Sequence, residues 1–222
     1  MIDIEEFRSR IDSFPRKYMR NFDYVWKWKT KIESSGSANI LDNKHRGEIY
    51  RRLCTILPRW QTYRNGDNAN SLGTLKESLA NISAVYNQLR TYTMLDFDSI
   101  PFETLETSWH ELGRVKEYDG KRTKYGYYSV ISVCKPLLLI WGQTLAFDSF
   151  VRKHIPRSYR APRYSNRWSL DEWMKVMREF SECLKKDQRI LKFIGNESEE
   201  RYGKNTIIPY GRFFDIYYWK GP

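Results

Sequence analysis

Two segments of the chain carry an apolar stripe with the spacing of an α-helix. In the first, apolar side chains recur every three or four residues after Ser71: Leu72, Leu75, Leu79, Ile82, Val85, Tyr86 and Leu89. Since positions i, i+3, i+4 and i+7 share one helix face, this spacing predicts an amphipathic helix with Ser71 as its N-cap. The second segment opens with a capping box, Ser169-Leu-Asp-Glu172, and predicts a helix to about Ile194.

Less regular patterns predict further helices along most of the chain. We expect a short amphipathic helix over residues 1–10, a helix capped by Asn39 that runs to about Arg64, and one from Pro101 to Val115. A buried apolar segment covers Tyr127 to Trp141, Gly142 ends it, and Thr144 caps a helix that ends before Pro156. Pro209 opens a final aromatic segment that we expect in the core. The fold prediction is therefore mainly α, with residues 1–222 in a single compact multi-helix domain.

Residues 1–38 combine aromatic and basic side chains. The run Tyr24-Val-Trp-Lys-Trp-Lys alternates apolar and basic residues, which is the period of a strand. From residue 8 to residue 31 the bases outnumber the acids, Asp12 and Asp23, and comprise Arg8, Arg10, Arg16, Lys17, Arg20, Lys27, Lys29 and Lys31. This composition predicts a basic N-terminal arm or extension, with a short strand or irregular structure over residues 24–32.

Composition narrows the class of protein. The 222 residues include 38 Lys and Arg against 27 Asp and Glu, so the formal net charge is +11, and 16% of the residues are aromatic. Such a balance excludes collagen, a disulfide scaffold and a membrane-embedded protein, and it favours a polyanionic partner. Cys54, Cys134 and Cys183 stand far apart in apolar contexts, which predicts reduced thiols in a cytoplasmic protein. The polar N-terminus is unlike a signal peptide.

Several motifs that carry a known chemistry are absent from the sequence. There is no phosphate-binding GxxxxGK[ST] loop, no GxSxG nucleophile elbow and no HExxH zinc motif. The chain has three histidines and neither a CxxC nor an HxxxH pair. We therefore expect neither a metal site nor a cofactor.

One lysine lies inside the apolar segment. Lys135 is followed 13 residues later by Asp148, at the start of the next predicted helix. A buried lysine is costly unless it is paired, and a neutral lysine in an apolar pocket can act as a nucleophile. An aspartate in a first helical turn is favoured by the helix dipole and can stabilise a developing cation. The alternative is structural: Lys135 extends its amine to water beside a helix start, and Asp148 is only a first-turn acid.

The run from Ser132 to Arg152 resembles the core of the helix-hairpin-helix DNA glycosylase superfamily. There an apolar helix with a lysine precedes a turn and an aspartate at a helix start, as in Asp148-Ser-Phe-Val-Arg152. The resemblance implies a helical fold around a cleft, DNA as partner and base excision, in which Lys135 attacks the sugar, Asp148 supports the cationic transition state and the target base is flipped out. The superfamily's hairpin glycine motif is absent upstream of Lys135, and the Lys–Asp spacing is shorter than usual.

A segment rich in arginine and aromatic residues follows. Arginines grip phosphates and aromatic rings stack on unpaired bases, so this segment predicts nucleic-acid contact. The phosphate-binding candidates are Arg152, Lys153, Arg157, Arg160, Arg163 and Arg167, with Lys121, Arg122 and Lys124 on the same face, and the stacking candidates are Tyr159, Tyr164 and Trp168. The alternative is a solvated loop whose arginines pair with acidic helices.

Two hypotheses for function remain open from the sequence. The first is a basic helical protein that binds nucleic acid, with glycosylase-like base excision as its chemistry. The second is a non-enzymatic helical module that binds a protein partner or a second copy of itself through an aromatic surface.

Overall fold

Helices dominate the structure, a computed structural model that describes residues 2–34, 38–63, 68–115, 126–159 and 161–220. The α-helices of the described part are α1 Ile4–Ser13, α2 Arg16–Glu33, α3 Arg46–Ile56, α4 Asn68–Asn81, α5 Ser83–Leu89, α6 Phe102–Gly113, α7 Val130–Ile140, α8 Ser149–His154, α9 Leu170–Lys186, α10 Gln188–Tyr202 and α11 Tyr210–Tyr218. Short 3-10 helices cover Met94–Ser99 and Arg157–Tyr159. The prediction of a mainly α fold is confirmed. No helix of the described residues is long and apolar enough to span a bilayer.

The apolar segment forms α7, a helix that is almost entirely buried. Every residue of α7 except Ile131 is buried, including Lys135 and Pro136. A proline in a helix interior leaves the carbonyl four residues earlier without its donor. Here that carbonyl belongs to Ser132, and the buried hydroxyl of Tyr63 donates to it at 3.4 Å. The carbonyl of Ile140, at the end of α7, has no donor within the helix, and the hydroxyl of Tyr86 donates to it at 2.7 Å. Side chains from other elements therefore satisfy the carbonyls of both Ser132 and Ile140.

The interpretation of residues 24–32 as a strand or arm is wrong, because these residues belong to α2. The buried side chains of α2 are Met19, Phe22, Val25, Trp26 and Lys29, which is helical spacing. Lys29 occupies a core position only because its ammonium pairs with Glu33 at 2.7 Å. A buried lysine in the apolar stripe made the helical period look like alternation. The N-terminal region is therefore part of the hydrophobic core.

Several helix ends differ from the prediction because local hydrogen bonds divide the longer runs. Asn39 caps a turn, its Oδ1 accepting from the Leu41 amide at 2.7 Å, and the helix begins only at Arg46. Asp187 ends α9 and caps α10, accepting from the Arg189 amide at 3.1 Å. Asp148, not Thr144, caps α8. The capping box of Ser169 and Glu172 is confirmed.

Two short strands were not predicted. β1 (Tyr128–Ser129) pairs antiparallel with β2 (Arg167–Trp168), with Tyr128 opposite Trp168. The pairing connects the start of α7 to the end of the arginine-rich run at residues 152–167, hereafter the basic segment. It therefore fixes the position of the basic segment relative to the helix that carries Lys135.

Candidate functional site

A cavity of about 240 Å³ lies where α2, α7, α8 and α11 meet. Its walls combine charged side chains with aromatic rings. They comprise Phe14, Tyr18, Arg59, Trp60, Gln61, Ile131, Lys135, Ala146, Asp148, Ser149, Phe150, Arg212, Asp215 and Trp219. The structure thus brings Lys135 and Asp148, singled out by the sequence, to the same cavity.

Lys135 reaches the cavity wall from the middle of α7. The residue is only 6% exposed, and its Nζ donates to the backbone carbonyl of Trp60. A carbonyl oxygen accepts a hydrogen bond from an amine in either protonation state. The contact therefore holds the amine in place at the cavity wall.

Asp148 reaches the same cavity as the N-cap of α8. One carboxylate oxygen, Oδ1, accepts from the amides of Phe150 and Val151, each at 3.0 Å. The side chain is half-buried. These bonds fix the carboxyl group, since an N-cap acceptor has a defined position relative to the first helical turn. The geometry gives Asp148 a structural role whether or not it also acts on a ligand.

A buried ion pair, which was not predicted from the sequence, completes the charged wall. Nη1 of Arg212 lies 2.8 Å from Oδ2 of Asp215, and both side chains are almost fully buried. Oδ1 of Asp215 accepts from the Ala146 amide at 2.8 Å. The guanidinium also donates to the Tyr18 carbonyl at 3.3 Å. Its Nε has no hydrogen-bond partner among the described residues.

Aromatic rings surround the Arg212 guanidinium. Its central carbon lies 4.9 Å from the ring centroid of Phe14, 5.2 Å from that of Phe22 and 5.5 Å from that of Trp60. Cation–π attraction offsets part of the cost of burying the charge. Burial lowers the pKa of Arg212, while Asp215 acts in the opposite direction.

The charged groups of the wall act on one another electrostatically. The pKa of Asp215 is raised to about 6, chiefly because the carboxyl group is buried; Asp148 also raises it, while Arg212, the Ala146 amide and Lys135 lower it. The two carboxyl groups and the two cations therefore form one electrostatic cluster. A ligand that changes the charge of any member changes the protonation of Asp215.

A signal for this pair was present in the sequence. Tyr210 to Trp219 is an aromatic segment with Arg212 and Asp215 three residues apart. The segment was correctly expected in the core, and charged residues in a core helix must pair. Arg212 and Asp215, like Lys135, are charged residues within an apolar segment.

The basic segment after α8 divides into buried and exposed members. Trp168 is fully buried and Tyr159 is 8% exposed, so neither ring is available to stack on a base, which corrects that prediction. Arg152 is also buried; its Nη1 donates to the Phe147 carbonyl at 2.6 Å. Arg163 donates to the Ile155 carbonyl. These two arginines hold the segment together instead of reaching outward.

The remaining members of the segment face solvent. Lys153, Arg157 and Arg167 are exposed, and Tyr164 is 93% exposed. None of the three cations forms an ion pair with an acidic side chain of the described residues, so the alternative in which acidic helices neutralise them finds no support there. Arg160, Lys121, Arg122 and Lys124 lie outside the described residues.

The aromatic surface required by the protein-interaction hypothesis is largely internal. Of the large hydrophobic side chains in the described part of the chain, only Phe102 and Tyr164 are exposed. Phe213 and Phe214 of α11 are buried, whereas Tyr217 and Trp219 are half-buried. Within the ranges the structure describes, no group of three His, Cys, Asp or Glu side chains is placed to hold a metal ion.

The chain matches no family model, no curated protein and no solved structure. The resemblance to DNA glycosylases thus stays a hypothesis based on residues 132–152.

Proposed function

We propose that this protein binds a polynucleotide and accepts one nucleotide in the cavity, where Lys135 and Asp148 act on the sugar. The observation that carries the proposal is that these two side chains, from α7 and from the N-cap of α8, line one cavity. Enzymes that act on a base extrude it from the stack into a pocket with aromatic walls. Tyr18, Trp60 and Trp219 provide such walls here.

The polar groups of the cavity also suit a nucleotide. The unpartnered Nε of Arg212 is a buried donor in the wall, and such a donor favours a ligand that brings an acceptor atom. Arg59 is exposed among the lining residues and adds a positive charge at the opening. A phosphodiester supplies both the acceptor oxygens and the negative charge.

The proposed chemistry is nucleophilic displacement at the sugar carbon that holds the base. Lys135 first releases a proton from its ammonium group to solvent. The resulting amine forms a bond to that carbon as the bond to the base breaks, and the base leaves with the electron pair and takes up a proton. Loss of a proton from the attached amine and opening of the sugar ring give an imine between Lys135 and the sugar. The Asp148 carboxylate stabilises the positive charge that develops on the sugar.

Trapping of the imine tests this chemistry. The protein is incubated with duplex DNA that contains uracil or an abasic site, and borohydride is added to reduce any imine to a stable cross-link. We expect a cross-linked species with the wild type and with Lys175→Met, which removes an exposed lysine from α9, but none with Lys135→Met. A cross-link that persists in Lys135→Met contradicts the assignment of the nucleophile.

Asp148 needs a variant that keeps the helix cap. Asp148→Asn retains an acceptor oxygen for the amides of α8 but removes the negative charge. We expect this variant to bind DNA normally and to form the cross-link at least tenfold more slowly, since one charge-stabilising group is worth about 2–4 kcal/mol in a transition state. A rate equal to that of the wild type would assign Asp148 to the cap alone. Binding without any cross-link would favour the non-enzymatic hypothesis.

A further inference from the structure

The outward face of α2 carries a run of bases. Five side chains are exposed on this helix and all are basic: Arg16, Lys17, Arg20, Lys27 and Lys31. At about 100° per residue they fall within an arc of roughly 100° around the helix axis. They extend over about 22 Å along the axis, at 1.5 Å per residue. The helix therefore presents a continuous basic stripe.

The acidic residues of α2 do not neutralise this stripe. The side chain of Glu33 is 6% exposed and pairs with Lys29, which is the only ion pair that α2 forms within the described residues. Asp23 accepts from the hydroxyl of Tyr202 at 3.1 Å. The five bases thus keep their charge available for an external partner.

The opposite face of α2 excludes one class of partner. A basic amphipathic helix binds a membrane by burying its apolar face in the lipid. Here the apolar residues Phe22, Val25 and Trp26 are fully buried in the protein core. These side chains cannot insert into lipid while the core is intact, so the stripe fits a polyanion that stays in water.

The basic stripe begins at the cavity. The ammonium of Lys17 lies 4.8 Å from the ring centroid of Tyr18, and Tyr18 lines the cavity. Phe14, which lies between α1 and α2, lines it too. A polynucleotide strand bound along α2 from its N-terminal end would therefore start beside the cavity.

We infer that the outward face of α2 binds the phosphodiester backbone of the polynucleotide whose target nucleotide enters the cavity. This inference rests on the proposed function, because the cavity is what gives the stripe its starting point. A length of about 22 Å accommodates several consecutive phosphates of one strand at 3.4 Å per nucleotide along a duplex axis. The contacts are to phosphates, so binding is independent of base sequence.

Salt-dependent binding of the full chain tests the inference. Anisotropy is measured with labelled mixed-sequence DNA and RNA of about 20 nucleotides, single-stranded and duplex, over a range of salt concentrations. The triple variant Arg20→Gln, Lys27→Gln, Lys31→Gln lies on the stripe and outside the cavity. The matched control, Lys76→Gln, Lys175→Gln, Lys192→Gln, removes the same charge from exposed positions on α4, α9 and α10. Circular dichroism establishes that both variants are folded.

The stripe variant and the control should differ clearly in affinity and in the slope of log K against log salt. Each lost phosphate contact reduces the slope of log K against log salt by about 0.9 for duplex DNA or about 0.7 for a single strand. We expect the stripe variant to lose about 2–3 in slope and at least about tenfold in affinity, and the control to stay within about twofold. The oligonucleotide that shows the larger change in slope identifies whether the stripe binds a duplex or a single strand.

The other outcomes overturn the inference. Equal losses of affinity in the two variants would mean that only the net charge of the protein matters. An unchanged slope in the stripe variant would mean that the phosphodiester backbone binds to another surface. In both cases a Lys135-dependent cross-link would leave the proposed function standing. Failure of the wild type to bind any polynucleotide would remove both proposals. Binding to phosphatidylserine vesicles without binding to oligonucleotides would assign α2 to a membrane.

Discussion

Arg212 and Asp215 form a buried ion pair in the cavity wall, with 2.8 Å between Nη1 and Oδ2. The pair lies on α11 at i and i+3, and Asp215 also accepts from the amide of Ala146 in the segment that leads to α8. It therefore links the last helix of the chain to the segment that carries Asp148. Removing two charges from water is expensive, and the burial raises the pKa of Asp215.

The pKa of Asp215 predicts how stability varies with pH. It rises from 3.8 to about 6 in the folded protein, so between these values the native state holds a proton that the unfolded state has lost. The contribution of Asp215 to stability is thus fully present below the lower value and is lost as pH increases through about 6. We expect wild type to lose roughly 2–3 kcal/mol relative to Asp215→Asn between pH about 4 and about 7.

Urea denaturation of the two proteins across that range measures this difference. Every other titrating group is shared, so the difference between the two curves isolates Asp215. Parallel curves would mean that the carboxyl group has its ordinary pKa in the folded protein, and the arrangement of charges around it would need another explanation.

Removal of the cation from the pair should have a larger effect at neutral pH. In Arg212→Met the Asp215 carboxylate loses its partner while it stays buried, which costs about 3–5 kcal/mol near pH 7. Near pH 5 the carboxyl group is protonated, so the cost is smaller. The control is Arg178→Met, because Arg178 pairs with Asp98 on the surface, where the side chains are 52% and 48% exposed. That variant should lose less than about 1 kcal/mol at either pH.

How far the fold was predictable depends on how local its determinants are. Ser169 and Glu172 bond to each other's backbone within one turn, so their residue types were sufficient to locate the start of α9. The start of α3 was missed because Asn39 is held by a distant partner: its side chain donates to the carbonyl of Ser83 at 3.1 Å. The helical character of residues 24–32 was missed for a similar reason, since Lys29 is a core residue only when Glu33 shares its charge.

In the candidate site, too, the residues with a local sequence signal were predictable and those that depend on tertiary packing were not. The sequence indicates Lys135 because its charge interrupts an apolar run, and Asp148 is the next acidic residue along the chain. Tertiary packing is what brings α11 into the same wall. Arg212 lies about 64 positions after Asp148 in the sequence, and Asp215 lies about 80 positions after Lys135. Trp168 was misjudged because its indole N–H is satisfied internally, by the carbonyls of Pro162 and Ser165 at 3.2 and 3.1 Å.

Close packing around α11 leads to a prediction about Gly211. Its amide donates to the Gly142 carbonyl at 2.9 Å, and an added Cβ would overlap the backbone of Thr144 and lie 2.6 Å from the carbonyl carbon of Gln143. Backbone atoms cannot rotate away as a side chain can. We expect Gly211→Ala to destabilise the fold by at least about 2 kcal/mol, measured by thermal or urea unfolding.

A second helical glycine provides the control. Gly195 lies inside α10, and a Cβ added there meets nothing within 4 Å. Gly195→Ala should stabilise the protein by up to about 1 kcal/mol, because alanine has the higher helix propensity. If both variants behaved alike, the close approach of α11 to residues 143 and 144 would be in doubt.

The cap of α8 allows the structural role of Asp148 to be measured apart from any chemistry. Asp148→Ala removes the acceptor for the amides of Phe150 and Val151 and should lower stability by about 1 kcal/mol. Asp148→Asn and Asp148→Ser keep an acceptor, so each should remain within about 0.5 kcal/mol of the wild type. Urea unfolding compares the three at one pH near neutrality. A loss in Asp148→Asn as large as that in Asp148→Ala would mean that the charge, and not the hydrogen bonds, holds the start of α8, and the Asn variant would then no longer separate folding from function.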